Sequence, residues 1–137
     1  MRVVLDTNVI VSGVMTAHGT CARITDMVDT GALEMCSDDR ILDEYGSVLR
    51  RPELRIAPES ISPVLELIRH TTYLIAATPL EPELPDPDDL PFLEVAAAAE
   101  ALLVTGNTRH YPEHARHGVT VLSPAEFLEL MRHRTSS

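Results

Sequence analysis

Short apolar runs rich in β-branched residues alternate with segments of helical spacing along the chain, and this alternation constrains the fold more than any other feature. A first strand over residues 3–5 ends at Asp6. Further strands are predicted at residues 33–36, 73–76, 102–104 and 119–122. Strands separated by helices form parallel sheets, because each helix covers one face of a sheet that is apolar on both. The sequence therefore predicts an α/β fold with a parallel sheet.

Local signals indicate where the first helices begin and end. Apolar residues over 9–15 predict a short helix, and helical spacing continues over residues 21–31, where Gly31 supplies a stop. Ser37 is the expected N-cap of an amphipathic helix over residues 38–51, and Pro52 closes that helix.

The second half of the chain has equally clear signals for the starts and ends of its elements. Pro63 is expected in the first turn of a further helix. Residues 78–91 are rich in proline and acidic side chains, which predicts an extended loop, and the alanine-rich residues 92–101 predict a helix. The last helix begins with the pattern of a capping box, in Ser123, Pro124 and Glu126.

Length and composition limit the class of protein. One domain over residues 1–137 is expected, and no apolar run approaches the roughly 20 residues of a membrane helix, so a soluble cytoplasmic protein without membrane partners is predicted. Cys21 and Cys36 lack metal-site spacing and are expected to be buried thiols. A net charge of −10 argues against coating nucleic acid by electrostatics alone, so any nucleic-acid role must use a local site.

Polar side chains follow two of the predicted strands. Asp6 ends the first strand and Asn107 follows residues 102–104, so both are expected at the carboxyl edge of the sheet, where ligands bind in such folds. Asp6 could equally be the N-cap of the following helix, and the two roles are compatible. In the helix over residues 38–51, Glu44 projects to the margin of the apolar stripe and Asp43 projects away from the core.

A third carboxylate comes from the acidic loop. Asp89 projects toward the sheet, whereas Asp86 and Asp88 are interpreted as solvated or helix-capping residues. Carboxylates gathered in one place repel one another and require shared protons or a cation. Oxygen-only ligands favour Mg²⁺ or Mn²⁺, which would activate water for attack on a phosphodiester. A metal-dependent hydrolase follows.

Several stretches together resemble the PIN domain family. They are MRVVLDTNV (1–9), LDEY (42–45) with VLRR (48–51), DPDD (86–89) with Phe92 and Leu93, LVTGN (103–107), and VLSP (121–124) with Phe127 and Leu128. The resemblance covers essentially the whole chain and is greatest to the toxin components of toxin–antitoxin pairs. It implies a three-layer α/β/α fold with a central, mostly parallel five-stranded sheet.

The resemblance also implies a Mg²⁺- or Mn²⁺-dependent ribonuclease with RNA as substrate. Asp6, Glu44 and Asp89 match its three catalytic and metal-binding acids. Asn107 stands where relatives carry a fourth acid, and it keeps a ligand oxygen but loses the charge. Asn8 and Thr105 match polar positions that support the acids. Relatives often form homodimers, and an antitoxin protein is an expected partner.

Three functions remain open at this point. Arg109 and His110 could contact an RNA backbone, although a solvated loop explains them as well. The leading hypothesis is a metal-dependent endoribonuclease that acts as a toxin. An alternative is a PIN module that binds RNA or protein without cleaving. A phosphatase with Asp6 as nucleophile is disfavoured, because the chain has no second aspartate two residues on and no lysine to hold a phosphoryl group.

Overall fold

The computed structural model describes residues 1–135, in which strands and helices alternate as the sequence predicts. The strands are β1 (Arg2–Leu5), β2 (Glu34–Ser37), β3 (Tyr73–Leu74), β4 (Leu102–Val104) and β5 (Val121–Leu122). The helices are α1 (Thr7–Met15), α2 (Thr20–Asp29), α3 (Asp39–Leu49), α4 (Pro58–Thr71), α5 (Leu90–Ala99) and α6 (Pro124–Thr135). None of the helices within residues 1–135 is both long enough and apolar enough to span a bilayer.

The sheet has the strand order β3-β2-β1-β4-β5, and every neighbouring pair is parallel. Val3 pairs with Met35 on one side and Leu102 on the other, so β1 is the central strand. Helix α5 packs against β1, β2 and β4. The predicted three-layer α/β/α fold with a five-stranded parallel sheet is confirmed.

The direction in which strands are added reverses at β1. The chain first adds β2 and β3 on one side of β1, and later adds β4 and β5 on the other. At such a reversal the connections leave the sheet in opposite directions, which opens a crevice at the carboxyl ends of the two central strands. Here that crevice lies beyond Leu5 and Val104, which pair in the register of β1 with β4.

Several predicted boundaries are wrong in detail. Ser37, the predicted N-cap of α3, is the last residue of β2, and its hydroxyl is 2.6 Å from that of Thr72. Asp38 caps α3 instead, because its Oδ1 accepts the backbone N–H of Ile41 at 3.1 Å. Pro63 does not lie in the first turn of α4, which begins five residues earlier at Pro58.

Other elements are shorter or shifted. Strand β3 covers two of the four predicted residues, and β5 lacks the predicted residues 119–120. The helical spacing over residues 9–31 is interrupted between α1 and α2. Helix α5 starts at Leu90 and ends at Ala99, where Glu100 adopts a left-handed φ of 53°. Both cysteines are free thiols, and Cys36 is buried whereas Cys21 is partly exposed.

The predicted capping box at the start of α6 is confirmed. The backbone N–H of Ser123 donates to Glu126 Oε1 at 2.8 Å, and the N–H of Glu126 donates to Ser123 Oγ at 3.1 Å. These reciprocal bonds satisfy two backbone donors that the helix itself leaves unpaired. Here, short-range signals in the sequence were sufficient.

An ion pair with a buried carboxylate helps to attach the proline-rich segment to the helices. Glu94 on α5 is 4% exposed, and its Oε1 lies 2.7 Å from Nη1 of Arg40 on α3. Its other oxygen, Oε2, accepts the backbone N–H of Leu80 at 2.8 Å. Residues 75–86 form no helix or strand. The bond at Leu80 therefore attaches this segment to α5 upstream of Asp89, which lies at the edge of the sheet.

Loss of either member of this pair should have unequal effects on stability. Arg40→Met leaves a buried carboxylate without its partner charge, whereas Glu94→Gln leaves an accessible guanidinium that water can solvate. We expect Arg40→Met to lower the free energy of unfolding by about 2–3 kcal/mol and Glu94→Gln by about 1 kcal/mol. Urea unfolding measures both, with Arg23→Met, an exposed arginine of α2, as the control. A larger loss in Glu94→Gln would contradict this account.

Candidate active-site cleft

Asp6 is held at the carboxyl end of β1 by three hydrogen-bond donors. It is 5% exposed, and its Oδ1 accepts the backbone N–H of Thr7 at 2.7 Å, as an N-cap of α1 does. Its Oδ2 accepts the hydroxyls of Thr105 at 2.8 Å and Tyr111 at 3.1 Å. Donors of this kind stabilise an ionised carboxylate in a site that water reaches poorly. The two predicted roles of Asp6, helix cap and buried edge residue, therefore coexist.

Glu44 is linked to Asp6 through one residue. The hydroxyl of Thr7 donates to Glu44 Oε2, while the N–H of the same residue donates to Asp6. Burial raises the pKa of Glu44, the Thr7 hydrogen bond partly offsets this, and the charge of Asp6 raises the pKa further. Glu44 is half-buried and Asp43 is exposed, in agreement with the orientation that helical geometry predicts for α3.

Asp89 lies at the junction of the turn Pro87–Asp89 with helix α5 and is 9% exposed. Its Oδ2 is 2.9 Å from Nδ1 of His110. The pKa of Asp89 is raised to about 6, first by burial and then by the charge of Asp6, while His110 acts in the opposite direction. The charge of Asp6 therefore disfavours the ionised forms of both Glu44 and Asp89.

The three acids line a single cleft of about 480 Å³ at the carboxyl edge of the sheet. Asp86 and Asp88 line it as well, and Asp86 also caps the turn before α5, because its Oδ1 accepts the N–H of Asp88 at 2.9 Å. The other lining residues include Thr7, Asn8, Arg51, Glu53 and His110. Distant parts of the chain thus bring negative charge to one place.

The donor set fits a hard divalent cation that keeps much of its water. The acidic ligands offer only oxygen, which Mg²⁺ and Mn²⁺ prefer. Within residues 1–135, however, no three acidic, histidine or cysteine side chains stand close enough together to enclose a metal ion. Mg²⁺ commonly binds through one or two carboxylates with water in its remaining positions. A closed protein cage is therefore not required.

The other predicted site residues have different positions. Asn8 Oδ1 accepts the N–H of Gly106 at 2.9 Å, which ties the segments that follow β1 and β4 to each other. Asn107 does not line the cleft, since its side-chain nitrogen faces Nε2 of His110 at 2.8 Å. Arg109 is exposed and also lies outside the cleft lining.

Sequence reasoning missed three residues of this site. Thr7 follows Asp6 directly, and its place in the first turn of α1 was a usable signal. Tyr111 is fully buried against Asp6, although the neighbouring Arg109 and His110 are typical of a solvated loop. Arg51 lines the cleft from the end of α3, and nothing in the local pattern distinguishes it from the neighbouring Arg50.

Comparison with known proteins identifies the fold family. The family model described as the PIN domain matches residues 2–109, a span that contains Asp6, Glu44 and Asp89. The chain belongs to the PIN domain family. An uncharacterized protein of Methanocaldococcus jannaschii is 26% identical over 112 residues, which cover 78% of this chain and 71% of that protein. PIN domains are generally nucleases that use divalent metal ions.

Removing one of the repelling charges should stabilise the metal-free PIN domain. The folded-state pKa of Asp89 is about 6 against an ordinary 3.8, so the folded protein binds this proton more tightly than the unfolded chain does. Stability from this group is therefore lost as the pH rises from about 4 to about 6. In chelator, we expect Asp89→Asn to raise the melting temperature by about 3 °C at about pH 7.5 and by much less at about pH 4, where most of the stability from this group is still present.

The control for this experiment is Asp43→Asn, because Asp43 is an exposed carboxylate outside the cleft. It should leave the melting temperature unchanged at both pH values. A fall in the melting temperature of Asp89→Asn at the higher pH would show that the charge of Asp89 is balanced within the metal-free protein.

Proposed function

We propose that residues 1–137 form a single PIN domain that acts as a Mg²⁺- or Mn²⁺-dependent endoribonuclease. The observation that carries the proposal is the convergence of Asp6, Glu44 and Asp89 on one cleft, where burial and the charge of Asp6 raise the pKa of the last two. Repelling carboxylates that remain partly hydrated are a binding site for a hard cation. The PIN family, whose members are generally nucleases, supports the same activity.

Asp6, Glu44 and Asp89 would hold the divalent ion, which supplies Lewis-acid stabilisation of the phosphoryl oxygens and an acidified water for hydrolysis. Side chains of the protein position the acids and accept the proton of the water. Thr7 holds Asp6 and Glu44 in fixed relation to each other. A carboxylate with a raised pKa, such as Glu44, is a better proton acceptor than an ordinary one. No covalent intermediate with a side chain is needed.

Arg51 is the cationic side chain best placed to meet an RNA phosphate. It lines the cleft beside the acids, and its charge lowers the pKa of Glu44. No hydrogen bond or ion pair to the rest of residues 1–135 occupies its guanidinium. A planar guanidinium can bind a phosphate through two hydrogen bonds. In a protein with a net charge of −10, such a local contact is needed to draw RNA toward an acidic site.

A PIN module that binds without cleaving is the second candidate. It is favoured by the lack, within residues 1–135, of three side chains close enough to enclose a metal ion, and by the neutral Asn107 at the position of a fourth acid. Calorimetry with Mn²⁺ separates the two functions. Binding that is lost in Glu44→Gln supports the enzyme, whereas no binding at millimolar Mn²⁺ supports the module.

Cleavage of RNA by the purified protein tests the proposed activity. We expect hydrolysis that requires added Mg²⁺ or Mn²⁺ and that falls at least about 100-fold in Asp6→Asn, Glu44→Gln and Asp89→Asn. Initial rates on a labelled RNA, with DNA of the same sequence beside it, measure both the activity and the preference for RNA.

Asp43→Asn is the matched control, because it removes a carboxylate from the residue next to Glu44 without touching the cleft. It should cleave at the wild-type rate. Equal rates in the three acid variants and the wild type would refute the proposal, since any observed cleavage would then arise elsewhere or from a contaminant.

We further propose that this nuclease is the toxin of a toxin–antitoxin pair, acting in the cytoplasm as a homodimer. This role rests on the sequence resemblance described above, and the partner would be an antitoxin that covers the acidic cleft. Light scattering of the purified protein measures its oligomeric mass.

Expression in a bacterial host tests the toxin role. Induction of the wild-type chain is expected to arrest growth, and induction of Asp89→Asn at the same protein level is not, because the variant lacks one of the three acids. Growth curves with matched immunoblots measure this. Normal growth in the presence of wild-type protein that cleaves RNA in vitro would remove the toxin role and leave the nuclease.

A further inference from the structure

A chain of hydrogen bonds joins Asp89 to the residue at the fourth position. Nδ1 of His110 is 2.9 Å from Asp89 Oδ2, and Nε2 of the same ring is 2.8 Å from the side-chain nitrogen of Asn107. An amide nitrogen carries only donors, so Nε2 must accept a hydrogen bond. The ring hydrogen is then on Nδ1, where it is donated to Asp89. Asn107 thus determines which tautomer of His110 faces the cleft.

We propose that His110 and Asn107 are positioning residues, which orient the carboxylate of Asp89 for metal binding. This inference rests on the proposed nuclease function and assigns Asn107 a role other than that of a metal ligand. It also gives His110 a role other than contact with RNA.

The free oxygen of Asp89 supports this assignment. Its Oδ1 makes no hydrogen bond within residues 1–135, and no buried side-chain oxygen or nitrogen of those residues lacks a partner, so water reaches Oδ1. A donor at Oδ2 restricts rotation of the carboxylate, whereas Oδ1 stays available for a ligand. Partners of this kind beyond the metal ligands typically contribute about 10- to 100-fold in metal affinity or activity.

The same chain of bonds extends to Asp6. Thr105 Oγ1 donates to Asp6 Oδ2 at 2.8 Å and accepts the backbone N–H of Asn107 at 3.0 Å. Two repelling acids are therefore connected through Thr105, Asn107 and His110, all of which follow β4 or lie at its end. This short stretch of chain thus bonds to both acids.

An aspartate at position 107 would disturb this arrangement. Its carboxylate accepts hydrogen bonds and cannot donate them, so it would draw the ring hydrogen to Nε2. Nδ1 would then present a lone pair to the carboxylate of Asp89. Asn107 is therefore compatible with a histidine that donates to Asp89, and Asn107→Asp is not.

Two isosteric variants of His110 test the proposal. In His110→Asn, the side-chain nitrogen takes approximately the place of Nδ1 and can still donate to Asp89, whereas in His110→Gln it takes the place of Nε2. We expect His110→Gln and Asn107→Asp to weaken Mn²⁺ binding and lower kcat about 10- to 100-fold, with a small change in KM for RNA. His110→Asn should remain within a few-fold of the wild type.

The controls separate positioning from a structural effect. His114→Asn makes the same substitution at an exposed histidine on the turn Glu113–Ala115 and should change neither quantity. Melting temperatures verify that every variant is folded. In the metal-free protein, ¹⁵N shifts of the His110 ring report the tautomer directly, and we expect the hydrogen on Nδ1.

The outcomes distinguish this inference from the proposed function. A ring hydrogen on Nε2, or equal losses in His110→Asn and His110→Gln, would overturn the positioning role. So would RNA cleavage by His110→Gln at the wild-type rate, and that result would leave the nuclease intact. Mn²⁺ binding with the expected dependence on position 110, in a protein that cleaves no RNA, would overturn the nuclease and leave the positioning role.

Discussion

Repulsion of Asp6 with Glu44 and with Asp89 is the constraint that the rest of the PIN domain must accommodate. The pairing of β1 with β4 brings two of the supporting segments together, and hydrogen bonds then hold each carboxylate at one oxygen or both. Donors to charged acceptors form stronger bonds than those between neutral groups. Charge-assisted hydrogen bonds are therefore concentrated at the carboxyl edge of the sheet, where the acidic side chains lie. A bound cation would relieve the repulsion that remains.

Much of the architecture could be predicted because its determinants are local. Strand β4 has its predicted bounds, and the capping box of α6 depends on three neighbouring residues. Element ends that depend on distant partners could not be predicted. Ser37 has the composition of a helix cap, but its hydroxyl pairs with Thr72 and its backbone continues β2, so Asp38 takes the cap.

In the candidate site, too, residues with local determinants could be predicted and those with distant partners could not. Helical geometry alone distinguished Glu44 from Asp43, and the end of a buried strand marked Asp6. The partners of these acids were less accessible to sequence reasoning. Tyr111 reaches Asp6 across 105 positions of sequence, and the orientation of Asn107 toward His110 depends on a single turn after β4. Such contacts follow from tertiary packing and produce no periodic pattern in the sequence.

The two outer strands of the sheet have a further consequence. Strands β3 and β5 each contain two residues, and on β3 Tyr73 and Leu74 are 52% and 65% exposed. A long, flat and apolar edge strand would be a template for aggregation between copies of the protein. An edge strand of two residues has too few unpaired backbone N–H and C=O groups to pair with another chain. Because its edge strands are short, the protein exposes the apolar side chains of β3 without providing a template for fibril growth.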